Sequence, residues 1–213
     1  MTVISTPQRG PGSAERDLHW TLWDWRRQVS DLYGRIRAMD DPAAAATHWR
    51  DARAALFRDH PQTPLLPGAA LPRYFDHDPR LRFAVEVAPA HETAPYHLPA
   101  GRDGTVELLP FGETAGLSET LGRELTLYWI GGYGGGVFLP FLDATTGKTT
   151  FDGGRYLLDT IKGADLGWTG AGRMIVDFNF AYNPSCAYSP QWICPLPPAA
   201  NRLDVAIQAG ERL

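Results

Sequence analysis

Apolar residues in the first quarter of the chain fall on one helical stripe. From Trp20 to Met39 they recur at Leu22, Trp25, Val29, Leu32, Ile36 and Met39, at steps of 3, 4, 3, 4 and 3. That spacing predicts an amphipathic helix. Asp24, Arg26, Arg27, Asp31, Arg35 and Arg37 occupy much of its other face. Asp40-Asp41-Pro42 stops this helix and starts the next, with Asp41 as N-cap and Pro42 as first helical residue. The second helix runs to about Arg58, turns Ala45, Trp49, Ala52 and Leu56 inward, and ends at His60-Pro61.

Beyond Pro61 the period changes. Prolines 61, 64, 67 and 72 mark an extended connection, and from Arg80 onward strand patterns take over. Leu81, Phe83, Val85 and Val87 alternate with Arg82, Ala84 and Glu86. Further strands are expected at Thr105–Leu109, Glu124–Ile130, Gly136–Phe141, Arg155–Leu158, Arg173–Phe178 and Asp204–Gln208. Turn residues at 101–104, 131–135, 145–147 and 153–154 separate them. The crossover helices that parallel strands need are missing. The expected fold is therefore α+β: a curved antiparallel β-barrel or sandwich with an N-terminal pair of helices packed on it. One domain is expected over residues 19–213, with the helical pair at 20–60 and the β-region at 73–213. Residues 1–18 are expected to be a disordered N-terminus.

Composition narrows the function classes. The chain has 213 residues, 44% hydrophobic and 21% charged, with a formal charge of −4. No basic patch favours nucleic acid. No apolar run approaches the roughly 20 residues that span a membrane. The opening residues, Met1 to Gly12, lack the apolar core of a signal peptide, so a cytoplasmic location is expected. Only Lys148 and Lys162 are lysines among 20 basic residues. With abundant Ala, Gly and Pro, this usage fits a high-GC genome such as an actinomycete's.

Candidate chemistry concentrates in residues 177–203, which hold both cysteines, five prolines and three asparagines. A long stiff loop of this kind is where a domain commonly carries a site. Asp177 and Asn179 share a face in strand geometry. Asn183, Asn201, Tyr156, Tyr182 and Tyr188 are candidate neighbours. A desolvated Asp177 could act as a base, with Tyr188 beside it; the amides could equally serve the loop backbone. Cys186 is a candidate nucleophile, although no histidine follows His97. Cys186 and Cys194 could instead be packing thiols, or a disulfide. One Cys-x7-Cys pair falls short of a four-ligand zinc site, and no metal or cofactor is assigned.

Gly131–Gly136 precedes a strand, so it predicts a hairpin rather than a phosphate loop. Trp129 and Tyr133 beside it could form a lid. Arg155 could clamp an anion, or pair with Asp143 or Asp177. Trp20, Trp23 and Trp25 are expected to pack on the sheet, an exposed remainder marking a partner surface. The expected site is a polar pocket built from 129–143, 155–157 and 177–201, on which Arg155, Asp177, Asn179 and Tyr188 converge. Its partner would be a small-molecule ligand or substrate, and a homodimer is open.

Several segments resemble a known family: Gly131-Gly-Tyr-Gly-Gly-Gly-Val-Phe-Leu-Pro-Phe, Asp143-Ala-Thr-Thr-Gly-Lys-Thr-Thr, Gly153-Gly-Arg-Tyr-Leu, Ala181-Tyr-Asn-Pro-Ser-Cys-Ala-Tyr, Cys194-Pro-Leu-Pro-Pro and Ala209-Gly-Glu-Arg. Together they are similar to the bacterial and archaeal family labelled domain of unknown function 1684, from about Trp20 to the end. Phe151 stands where tyrosine is expected and Ser185 where a second proline is common. The resemblance implies one unified domain and brings no reaction with it. Three readings stay open: a cofactor-independent enzyme of bacterial metabolism or natural-product biosynthesis, a non-catalytic ligand-binding or sensing module, and a cysteine-dependent hydrolase or transferase.

Overall fold

The structure, a computed structural model, describes residues 13–99 and 104–213. Helix α1 spans Ser13–Arg37 and helix α2 spans Pro42–Asp59. α1 thus begins seven residues before Trp20, and the rest of the expected disordered start, residues 1–12, lies outside the described residues. Asp41 caps α2, its carboxylate accepting from the backbone N–H groups of Ala43 at 2.9 Å and Ala44 at 3.3 Å. Such a cap contributes about 0.5–2 kcal/mol.

Of the α1 stripe, Leu32 and Ile36 are buried and Leu22, Trp25 and Val29 half-buried. Tyr33 is buried beside them. Trp20 and Trp23 do not pack on the sheet. They stack on each other at 5.4 Å and stay 64% and 59% exposed, being off the stripe.

The strands are β1 (Arg73–Tyr74), β2 (Arg82–Pro89), β3 (Tyr96–Pro99), β4 (Thr105–Ala115), β5 (Thr126–Ile130), β6 (Gly136–Phe141), β7 (Arg155–Asp159), β8 (Met174–Asp177) and β9 (Glu211–Arg212); a short helix, α3 (Ser118–Leu121), separates β4 from β5. The main sheet runs β7-β6-β5-β4-β2-β8, with β3 also on β4, and every pairing is antiparallel. A bridge between Tyr156 on β7 and Tyr182, just past β8, brings the two ends of the sheet together. The sheet is thereby a nearly closed antiparallel barrel. β4 alternates outward and inward along its length, burying Leu108, Pro110, Gly112 and Thr114. Register shifts at Pro110/Gly112 and Leu139/Pro140 put both prolines at bulges, where a missing donor costs least.

One expected strand is absent. Residues 204–208 are irregular because side chains serve their backbone: Ile207 N–H donates to Asp143 at 2.9 Å, and Ile207 C=O accepts from Arg155 at 2.8 Å. β3 and β9 go beyond the sequence reading, being too short to show a period. The β1–β9 ribbon pairs Tyr74 with Glu211.

The helices are not an appendage. Leu32, Tyr33, Ile36 and Trp49 share one buried cluster with Ala164, Leu166 and Phe180 from the β-region. A second core fills the barrel around Leu125, Leu139, Leu157 and Phe178, and a third groups Leu108, Tyr128, Phe138 and Tyr156.

Candidate functional site

A cavity of about 80 Å³ lies where the helical pair meets the barrel. One water needs roughly 10–15 Å³, so there is room for a compact organic molecule. α1 and α2 supply Trp25, Tyr33, Trp49 and Phe57 to its wall, and the β-region supplies Tyr156, Tyr182, Asn183 and Tyr188. Aromatic rings mix there with aliphatic residues, and Lys162, paired with Asp159 at 3.1 Å, also lines the wall.

Its polar centre is Arg53. α2 turns Ala45, Trp49 and Phe57 inward, and Arg53 sits on that same stripe. The guanidinium carbon lies 4.4 Å from the Phe57 ring centre, 5.0 Å from Tyr182 and 5.8 Å from Trp49. Arg53 Nε donates to Glu211 Oε1 at 2.6 Å and Nη2 donates to Oε2 at 3.3 Å. Glu211 Oε2 also accepts from Tyr188 O–H at 2.8 Å and from the Asn183 N–H. Glu211 is fully buried, so its charge requires this set of donors. Gly210 makes the placement possible. Its φ is +74°, and a Cβ there would lie 2.4 Å from the Ala181 carbonyl oxygen.

The electrostatics favour fixed charge states. Burial works against the Arg53 charge, but Glu211 outweighs it and holds the guanidinium well above its ordinary range. Burial raises the phenols of Tyr33, Tyr156, Tyr182 and Tyr188 far above neutrality. The phenols therefore stay protonated. Asn183 contributes the loose end: its Oδ1 is buried without a hydrogen-bond partner.

The family described as Protein of unknown function (DUF1684) matches residues 71–212. This chain belongs to the DUF1684 family. The match starts later than the expected start at about Trp20, leaving α1 and α2 outside it. A solution NMR structure of an uncharacterized protein from gene locus rrnAC0354 of Haloarcula marismortui is 33% identical, covering 77% of this chain and 90% of that one, with a TM-score of 0.52. Among curated proteins, none matches the chain.

In this DUF1684 protein, four of the residues expected in a pocket line the cavity: Tyr156, Tyr182, Asn183 and Tyr188. The others lie elsewhere, and most are saturated where they are. Arg155 and Asp143 form a buried ion pair at 2.9 Å, with side chains 1% and 0% exposed. Arg155 also donates to the carbonyls of Ile207, Ala209 and Glu211, so it has no free fork for an anion. Burial pulls its pKa down and Asp143 resists that.

Asp177 accepts from the backbone and side chain of Asn179 and from Arg82 at 3.3 Å. Burial raises its carboxyl, against the pull of Asn179 and Arg82. Asn179 in turn clamps the backbone of Asp78 at 2.8 and 2.9 Å. Asn201 does the same for Thr126 and Pro140. These are backbone clamps. The expected convergence of Arg155, Asp177, Asn179 and Tyr188 does not occur on this cavity, which only Tyr188 of the four lines. Trp129 and Tyr133 lie outside the barrel on the β5–β6 hairpin, Tyr133 fully exposed.

Cys186 and Cys194 are free thiols, both half-buried. The Cys186 N–H points to Cys194 Sγ at 3.4 Å. Each thiol shifts the other's titration, and the hydrogen bonds that Cys186 offers Cys194 pull the Cys194 thiol down and push the Cys186 thiol up.

Arg53 and Glu211, the buried charged pair beside the cavity, were not singled out from the sequence. A signal existed for the first: an arginine in register with Ala45, Trp49 and Phe57 sits where an amphipathic helix should be apolar. Glu211 had only its place in the Ala209-Gly-Glu-Arg segment.

Proposed function

We propose that this protein is a small-molecule-binding member of its family and acts by holding a ligand rather than by transforming it. The cavity between helices and barrel is the binding site. The observation that carries this reading is an aromatic-rich cavity with Arg53 in its wall, neutralised by the buried Glu211 that it pairs with. Such a pair polarises a ligand without needing a counter-charge from it. The phenols of the wall are raised away from neutrality, so none is poised as an acid or base at physiological pH. Largely apolar walls with a few fixed polar groups are the usual composition of a ligand site. The ligand class is a compact, uncharged, flat molecule with one hydrogen-bond donor for Asn183 Oδ1.

The test is a ligand-observed NMR screen of small aromatic alcohols and amines. Val29 lines the cavity from α1 and is half-buried, so Val29→Trp should fill the space without dismantling the core. Binding to the wild type that Val29→Trp loses at least tenfold is the expected result. Equal binding by both proteins would move the site elsewhere.

A further inference from the structure

We propose that Cys186 and Cys194 form a reactive dithiol site, in which Cys194 attacks a hydroperoxide and Cys186 resolves the product into an intramolecular disulfide. This site lies outside the ligand cavity, whose wall includes neither cysteine, and it does not depend on the binding reading. The geometry carries it. A short turn at Ser185–Ala187 aims the Cys186 N–H at Cys194 Sγ, 3.4 Å away. The residue after Cys194 is anchored, because Tyr156 O–H donates to the Pro195 carbonyl at 2.6 Å. Prolines 184, 190, 195, 197 and 198 stiffen the segment. The Cys186 backbone is thus held against the Cys194 sulfur while both thiols stay free. Neither residue is sealed in the core.

Several charged or titratable groups bear on the pair. The Cys186 thiol and N–H, the Ser185 N–H and Lys162 favour the Cys194 thiolate. Asp152 disfavours ionisation of Cys186. Tyr156 stays neutral, held so by burial and by both sulfurs. One nucleophilic thiolate beside one protonated thiol is the arrangement of an attacking and a resolving cysteine.

The chemistry balances. The Cys194 thiolate attacks the terminal oxygen of a hydroperoxide; the S–O bond forms, the O–O bond breaks, and the alkoxide leaves and takes a proton. Cys194 is now a sulfenic acid. Cys186 gives up its proton and attacks the Cys194 sulfur; the S–S bond forms and the S–O bond breaks, releasing water. Two thiols are oxidised and one hydroperoxide is reduced to an alcohol and water, or to two waters when it is hydrogen peroxide.

The test uses the full, reduced chain treated with hydrogen peroxide and read by intact mass and thiol alkylation. The expected product is lighter by two hydrogens and has lost both alkylatable thiols. Cys186→Ala should stop at a Cys194 sulfenic acid that dimedone traps, while Cys194→Ala should leave Cys186 unmodified at the same peroxide dose. Alkylation of the wild type should inflect below the ordinary thiol range, and Cys186→Ala should move that inflection upward. A pair that only packs would not produce this shift. Two thiols still alkylatable after peroxide, a disulfide formed only between molecules, or equal reactivity of the two single variants would each overturn the proposal.

Discussion

Glu124 shows how a single carboxylate can stabilise a turn. It accepts from Thr114 Oγ1 at 2.7 Å and from the N–H groups of Gly116, Leu117 and Ser118 at 2.8–3.1 Å. Burial opposes its charge, but these donors prevail and bring its pKa down to about 2. A pKa below the unfolded value means stability that is full above the ordinary glutamate range and is lost as pH falls toward 2. Glu124→Gln should cost up to roughly 3 kcal/mol at neutral pH. In urea unfolding, the gap from wild type should narrow as the pH drops from about 5 toward about 2. A gap independent of pH would refute this account of Glu124. Arg155 makes a sharper case. Arg155→Met would strand the buried Asp143 charge and three carbonyls, and should cost about 3–5 kcal/mol. Thermal melts of Arg155→Met and of the double variant with Asp143→Asn decide it, since restoring neutrality should recover part of the loss. Residue types alone could not separate the Arg155–Asp143 pair from an anion clamp. The distinction lies in three carbonyls some fifty residues downstream.

At the scale of elements, the helical pair and the barrel depend on each other. The family match begins at residue 71, which would suggest that the β-region stands alone. The packing argues otherwise. Removing α1 and α2 would expose Ala164, Leu166 and Phe180 and leave Glu211 buried without Arg53. An unpaired buried charge costs about 3–5 kcal/mol, against a usual domain stability of about 5–15 kcal/mol. A chain starting at Pro61 should therefore aggregate or unfold without a cooperative transition in calorimetry. A soluble, cooperatively melting monomer would contradict this. The helices, the Asp41 cap and most strands were legible because period and capping are local signals. The strand expected at 204–208 was not, since its alternation is real but side chains of Asp143 and Arg155 satisfy its backbone.

The whole molecule has its cavity at a seam, and seams are what a sequence hides best. Tyr156, Tyr182, Asn183 and Tyr188 could be singled out from the proline-rich loop and its neighbouring strand. Their opposite wall comes from helices more than a hundred residues earlier, whose aromatic residues read simply as core. Among the described residues no helix is long and apolar enough to cross a membrane, and no group of three or more His, Cys, Asp or Glu could hold a metal ion. A second hollow, a groove of about 510 Å³ between α1 and α2, is rimmed by Asp24, Gln28, Arg35 and His60. It is the natural competitor for any ligand. A crystal structure of the full chain with a bound small aromatic alcohol or amine discriminates most directly. The account predicts density between α2 and the Tyr156–Tyr182 bridge, with the ligand's donor at Asn183 Oδ1. Density in the α1–α2 groove or on the outer barrel face, with side chains closing the inner cavity, would contradict it.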